Sequence, residues 1–117
     1  ELGSKVSVLD AELHDQIFAY SSHLPHVVAY ALLNTLKGLD QDDLELFSGG
    51  GLGEFLRLVS SSPKMWTDIF LMNEKNIAFA IDDLVKSLNI LQDKIRNDPK
   101  SLQDFLSELK AFKESNY

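Results

Sequence analysis

From Gln16 to Leu36 the chain carries no Asp, Glu, Lys or Arg, although 25% of all residues are charged. A charge-free stretch of that length either crosses a membrane or packs inside a helical fold. The same stretch holds Ser21, Ser22, His23, Pro25, His26 and Asn34, which rules against a lipid-facing span. It predicts the central helix of an all-α bundle, apolar most of the way round with a polar knot in its middle. Asp10 is placed to cap that helix, and Gly38 after Lys37 to end it. Leu13, Ile17, Tyr20, Leu24, Val28, Ala31 and Thr35 recur at three- and four-residue steps and predict its buried face.

The rest of the chain also reads as helix. Residues 39–47 predict a short helix, residues 48–53 a glycine loop, and Glu54 to Ser60 a second short helix. Ser62-Pro63 starts a long helix with proline in its first turn. Along it Trp66, Phe70, Ile77, Leu84, Leu88, Leu91 and Ile95 form a heptad-like seam, suited to a partner helix in the same chain or a second one. Asn97-Asp98-Pro99 breaks it, and Leu102, Phe105, Leu106, Leu109 and Phe112 line a final amphipathic helix. The expected fold is therefore an all-α helical bundle with a long central buried helix and a long dimerisation helix.

Length and charge narrow the function. The 117 residues suffice for one domain. A net charge of −7 makes nucleic acid and anionic membranes poor partners. The absence of cysteine removes disulfides, thiolate metal sites and a thiol nucleophile, and fits a cytoplasmic protein. Residues 1–9 read as a linker, and a start at Glu1 without a signal peptide suggests that sequence is missing upstream.

Three segments carry candidate chemistry. In Ser22-His23-Leu24-Pro25-His26 the two imidazoles are three residues apart, so both project from one side of a helix. Pro25 cannot donate to the carbonyl of Ser21 and should kink the helix there, making room for a polar pocket. The plain alternative is a pair of core histidines bonded to backbone. A metal needs three or four convergent ligands, and no such cluster stands out. In the second segment, Gly49-Gly50-Gly51-Leu52-Gly53 precedes Glu54 and Arg57. This is neither a P-loop nor a dinucleotide fingerprint. It offers bare N–H groups at a helix start and a guanidinium able to grip a carboxylate, or simply a surface Glu54–Arg57 pair. The third is Ser62-Pro63-Lys64-Met65-Trp66-Thr67-Asp68-Ile69 with Asn73, which on its own reads as a capped helix start with a core tryptophan.

In this order, with His14-Asp15 ahead of them, the segments resemble the C-terminal domain of the prephenate and arogenate dehydrogenase family over roughly residues 10–95. The resemblance implies NAD- or NADP-dependent oxidative decarboxylation of prephenate to 4-hydroxyphenylpyruvate, toward tyrosine. It further implies a missing N-terminal Rossmann domain that binds the dinucleotide and supplies the principal catalytic His. Residues 1–9 become the linker from that domain, and residues 10–117 a helical domain for homodimerisation and substrate binding. By position, Ser22, His23 and His26 would line the prephenate or arogenate pocket, and Arg57 would bind a substrate carboxylate. Gly50, Gly51 and Trp66 would lie close by, contributed across the dimer, with Glu54 in support. The chain departs from the family at Leu52, Gly53, Glu54 and Leu56. With no dinucleotide or catalytic residue of its own, it is expected to be inactive alone. The rival reading is a stand-alone helical interaction module that dimerises through the seam.

Overall fold

The computed structural model describes residues 10–39 and 50–117. The linker at 1–9 and most of the short helix expected at 39–47 lie outside the described residues. The chain falls into two compact units, one ending at Ala80 and the other running Ile81–Tyr117. The first contains α1 (Ala11–Phe18), a π-turn (Ala19–His23), α2 (Leu24–Leu36), α3 (Gly50–Leu56), a 3-10 turn (Arg57–Ser60) and α4 (Pro63–Met72). Helix α5 (Glu74–Asn97) begins in the first unit and ends in the second, which closes with α6 (Pro99–Asn116). No helix among the described residues is long and apolar enough to cross a membrane.

The helix starts follow local chemistry. The Leu13 N–H donates to Asp10 Oδ1 at 2.8 Å, the Met65 N–H to Ser62 Oγ at 3.2 Å and the Ser101 N–H to Asp98 Oδ1 at 3.2 Å. Each bond satisfies a first-turn donor with no partner inside its helix. Pro63 and Pro99 sit in the first turns of α4 and α6, where their missing N–H costs nothing.

The expected single helix from Asp10 to Gly38 is interrupted. At the π-turn the Leu24 N–H reaches back five residues to the Ala19 carbonyl. Pro25 explains the widening: it has no N–H, and its ring crowds the carbonyl four residues earlier. Opening the preceding turn by one residue lets the helical path continue through it.

The buried face also differs from the expected one. Leu13, Ile17, Tyr20, Ala31 and Thr35 are exposed, and Leu24 and Val28 are only half-buried. The inward stripe is Ala19, His23, His26, Ala29 and Tyr30, with both alanines fully buried. The large rings of this stripe meet rings of α4, His26 on Trp66 and Tyr30 edge-on to Phe70. The central helix is thus half-buried within the chain: Leu24, Val27, Val28, Leu32 and Leu36 are half-buried like His23, His26 and Tyr30, and Ile17, Tyr20 and Leu33 are exposed.

Two further expectations change. The glycine segment is not all loop: Gly50 to Leu56 form α3, which packs with the 3-10 turn against α2. Gly50 opens it with φ of 64°, a left-handed conformation that favours glycine. The long helix expected from Pro63 is broken at Asn73, which lies at φ −119° and ψ 33°. The Asn73 N–H still bonds the Ile69 carbonyl, and its own carbonyl accepts from Ile77. It therefore ends α4 and begins α5. Trp66, Asn73, Ile77 and Ala80 form the buried stripe across this joint.

In the second unit, Lys94 Nζ donates to Ser101 Oγ at 2.6 Å and lies 5.3 Å from the centre of the Phe105 ring. These contacts tie the end of α5 to the start of α6. Leu102 and Phe105 are half-buried there, whereas Leu106, Leu109 and Phe112 are exposed.

Candidate functional site

The π-turn and α4 bring the first and third sequence segments together. The His26 ring stacks on Trp66, with ring centres 3.5 Å apart and planes 19° from parallel. His23 meets the same indole edge-on at 6.1 Å. Phe18 meets His23 edge-on at 6.2 Å, and Phe70 lies 5.6 Å from Trp66. The indole is therefore held between two imidazoles and a phenyl ring, in arrangements that aromatic quadrupoles favour. Trp66 Nε1 and Tyr30 Oη are buried with no hydrogen-bond partner among the described residues.

The two histidines are held differently. His26 Nδ1 lies 3.2 Å from the Ser22 carbonyl, to which it donates. That bond fixes His26 at the proline-widened turn. His23 Nδ1 lies 3.2 Å from Asn73 Nδ2, which also donates to the Asp15 carbonyl at 2.8 Å. Asn73 Oδ1 accepts from Asn76 Nδ2 at 2.8 Å. Burial pushes the His23 imidazole below its ordinary pKa; the nearby Asp15 charge pulls the other way, and His26 and His14 add to the lowering. A buried imidazole loses solvation chiefly in its charged form, so the neutral ring is favoured. A surface cavity of about 230 Å³ opens beside it, lined by His14, Asp15, Phe18, His23, Met72 and Asn73.

The second segment lies on the surface. Both carboxylate oxygens of Glu54 accept from Arg57 Nη1, at 3.2 and 3.1 Å, and both side chains are 74% exposed. An exposed i,i+3 pair of this kind is worth at most about 0.5 kcal/mol. Gly50 and Gly51 are exposed at the start of α3, with open space where a side chain would go. The structure thus unites His23 and His26 around Trp66, with His26 bonded to the Ser22 carbonyl, and leaves Arg57 paired with Glu54.

Sequence reasoning passed over Asn73 as an organiser of this site. Its signal was an uncharged amide seven residues after Trp66 and four before Ile77, on the apolar stripe itself. Nothing in the sequence, however, links it to His23, 50 residues earlier.

The described residues do not fit a nicotinamide dinucleotide. Gly50, Gly51 and Gly53 sit within a helix, and the described residues contain no strand, whereas a pyrophosphate cradle needs a glycine turn between strand and helix. Among the described residues, no cluster of three or more His, Asp or Glu could hold a metal ion.

Comparison with known proteins gives a consistent result. Residues 10–113 match the family described as prephenate dehydrogenase, dimerization domain. The chain is 32% identical over 118 aligned residues to cyclohexadienyl dehydrogenase of Zymomonas mobilis, covering 98% of this chain and 39% of that protein. It is 33% identical over 90 residues to prephenate dehydrogenase of Bacillus subtilis, covering 75% of this chain and 23% of that protein. Among solved structures, prephenate dehydrogenase from Aquifex aeolicus in complex with hydroxyphenyl propionate and NAD+ aligns at 42% identity and a TM-score of 0.80, over 89% of this chain and 37% of that one. The fold is shared as well with Synechocystis arogenate dehydrogenase, at 23% identity and a TM-score of 0.77. The chain spans less than two fifths of the length of each of these relatives. It belongs to the prephenate dehydrogenase dimerization-domain family.

Proposed function

We propose that this chain is the helical dimerisation and substrate-contacting part of a cytoplasmic, homodimeric dehydrogenase. The enzyme would convert prephenate to 4-hydroxyphenylpyruvate and carbon dioxide while reducing NAD+ or NADP+. Residues 10–117 form this part, and residues 1–9 lead from a separate Rossmann unit that holds the dinucleotide and the catalytic histidine. The observation that carries the reading is the His23–Trp66–His26 cluster, built from two of the segments on which the family resemblance rests.

The chain's own contribution is binding and orientation. Ser22, His23 and His26 line one wall of the pocket at the π-turn, with Trp66 behind them. Gly50 and Gly51 leave room for close approach, and Arg57 grips a substrate carboxylate. The Glu54 pairing does not obstruct that role, because an exposed pair is exchanged for a carboxylate ligand at little cost. Glu54 instead keeps the guanidinium extended until substrate arrives. Arogenate, which carries an amino group where prephenate has a keto oxygen, is the alternative substrate.

The test is Arg57→Ala in the dehydrogenase that carries this domain together with its dinucleotide-binding unit. Losing a charge-assisted, two-point contact costs on the order of 2–4 kcal/mol. The expected result is a raised KM for prephenate and a kcat/KM reduced by roughly 30-fold or more. An unchanged kcat/KM removes Arg57 from the pocket.

A further inference from the structure

We propose that Asn73 is a positioning residue that holds His23 in the tautomer protonated on Nε2, so that the ring offers a fixed N–H donor to an oxygen acceptor of the ligand. The Asp15 carbonyl oxygen can only accept, so the Asn73 atom 2.8 Å from it must be the amide nitrogen and not the amide oxygen. This settles which way the Asn73 side chain is turned. The bond from Asn76 Nδ2 to Asn73 Oδ1 at 2.8 Å agrees with that orientation.

The same amide nitrogen lies 3.2 Å from His23 Nδ1. One of its two hydrogens serves Asp15, and the other points at the imidazole. A proton on Nδ1 would set donor against donor. His23 Nδ1 therefore accepts, and a neutral ring must carry its proton on Nε2. Asn73 is only 7% exposed, so water is a poor substitute for either bond. The partner is not supplied by the histidine's own helix. It comes from the α4–α5 joint, which is where the helix breaks to place it.

The ligand chemistry follows from the tautomer. An Nε2–H donor suits a carboxylate, carbonyl or hydroxyl oxygen and does not suit an ammonium group. What the donor serves rests on the proposed pocket; the tautomer itself does not.

The experiment uses the 117-residue chain with 15N-labelled histidine and long-range 1H–15N correlation spectra. His23→Asn assigns the His23 signals by removing one of three sets. The expected wild-type spectrum above pH 7 shows an unprotonated, pyridine-type Nδ1 and a protonated, pyrrole-type Nε2 for His23. Asn73→Asp replaces the donor by an acceptor, and should move the proton to Nδ1 and make the ring titrate at higher pH. Asn73→Ala, which leaves no partner, should give averaged shifts from both tautomers. A merely structural role would lower the melting temperature without changing which nitrogen is protonated. A wild-type His23 protonated on Nδ1 overturns the proposal whether or not the variants fold. So does a folded Asn73→Asp or Asn73→Ala chain that keeps the wild-type tautomer. Either result leaves the Arg57 prediction standing, so the two proposals fail separately.

Discussion

Trp66 meets two histidines with its ring while its polar atom goes unserved. Stacking on His26 and the edge contact with His23 engage the π-system, and Nε1 is buried without a partner among the described residues. An unsatisfied buried donor costs about 1–3 kcal/mol, which offsets part of what the large ring contributes by burial. Trp66→Phe keeps an aromatic face and deletes the donor, so it should cost no more than about 1 kcal/mol of stability. Trp66→Ala removes the ring and should cost about 3–5 kcal/mol. Urea unfolding of the two variants distinguishes them. Equal losses would mean that the indole N–H is serving an acceptor after all.

At the scale of elements, two breaks shape the site. The π-turn before Pro25 widens the helix where His23 and His26 leave it, and the joint at Asn73 places the amide that reaches His23. Pro25 announces the first break. The second has no such signal, since asparagine is only mildly unfavourable inside a helix and here its side chain is drawn to tertiary partners. Helix α3 shows the opposite case, with glycines folding as helix. Gly50 and Gly51 both have open space around them, but only Gly50 has positive φ. Gly50→Ala should therefore lower stability by about 1 kcal/mol or more. Gly51→Ala should raise it by about 0.5–1 kcal/mol, because alanine loses less backbone entropy in a helix. Thermal unfolding of the pair checks the sign; two losses of equal size would show that the helical conformation at Gly51 is not what sets its stability.

For the whole molecule, the apolar surface left uncovered is the main observation. Leu71, Met72 and Phe79 are 69%, 85% and 67% exposed in the single chain, and Leu13, Ile17 and Tyr20 also face outward. Single chains seldom leave so many large apolar residues in water without a use for them. The family model that matches residues 10–113 is described as a dimerization domain, and the proposed homodimer would cover such residues. The chain is expected to sediment as a dimer at micromolar concentrations; a monomer throughout that range would count against the homodimer. In the second unit, Leu88 and Ile95 of the expected seam on α5 are likewise exposed, beside a groove lined by Leu88, Asn89, Leu91, Gln92 and Ile95.

What could be read from the sequence was local. Asp10, Ser62 and Asp98 cap the helices that their positions announce, because capping needs only the next three residues. The Glu54–Arg57 pair is of the same kind, and the motifs around Ser22 and Trp66 were legible as motifs. Periodicity showed that Leu13, Ile17 and Tyr20 share a face, but not whether that face turns toward its own chain. Only the tertiary structure decided that the small residues Ala19 and Ala29 are fully buried, because the choice of inward face depends on the elements packed against this helix. It also decided that Asn73 belongs to His23. A hydrogen bond between residues 50 positions apart exists only once the π-turn and the α4–α5 joint have set both side chains in place. The charge-free stretch established that this helix would be packed; its surroundings determined which side is covered and what its histidines can donate.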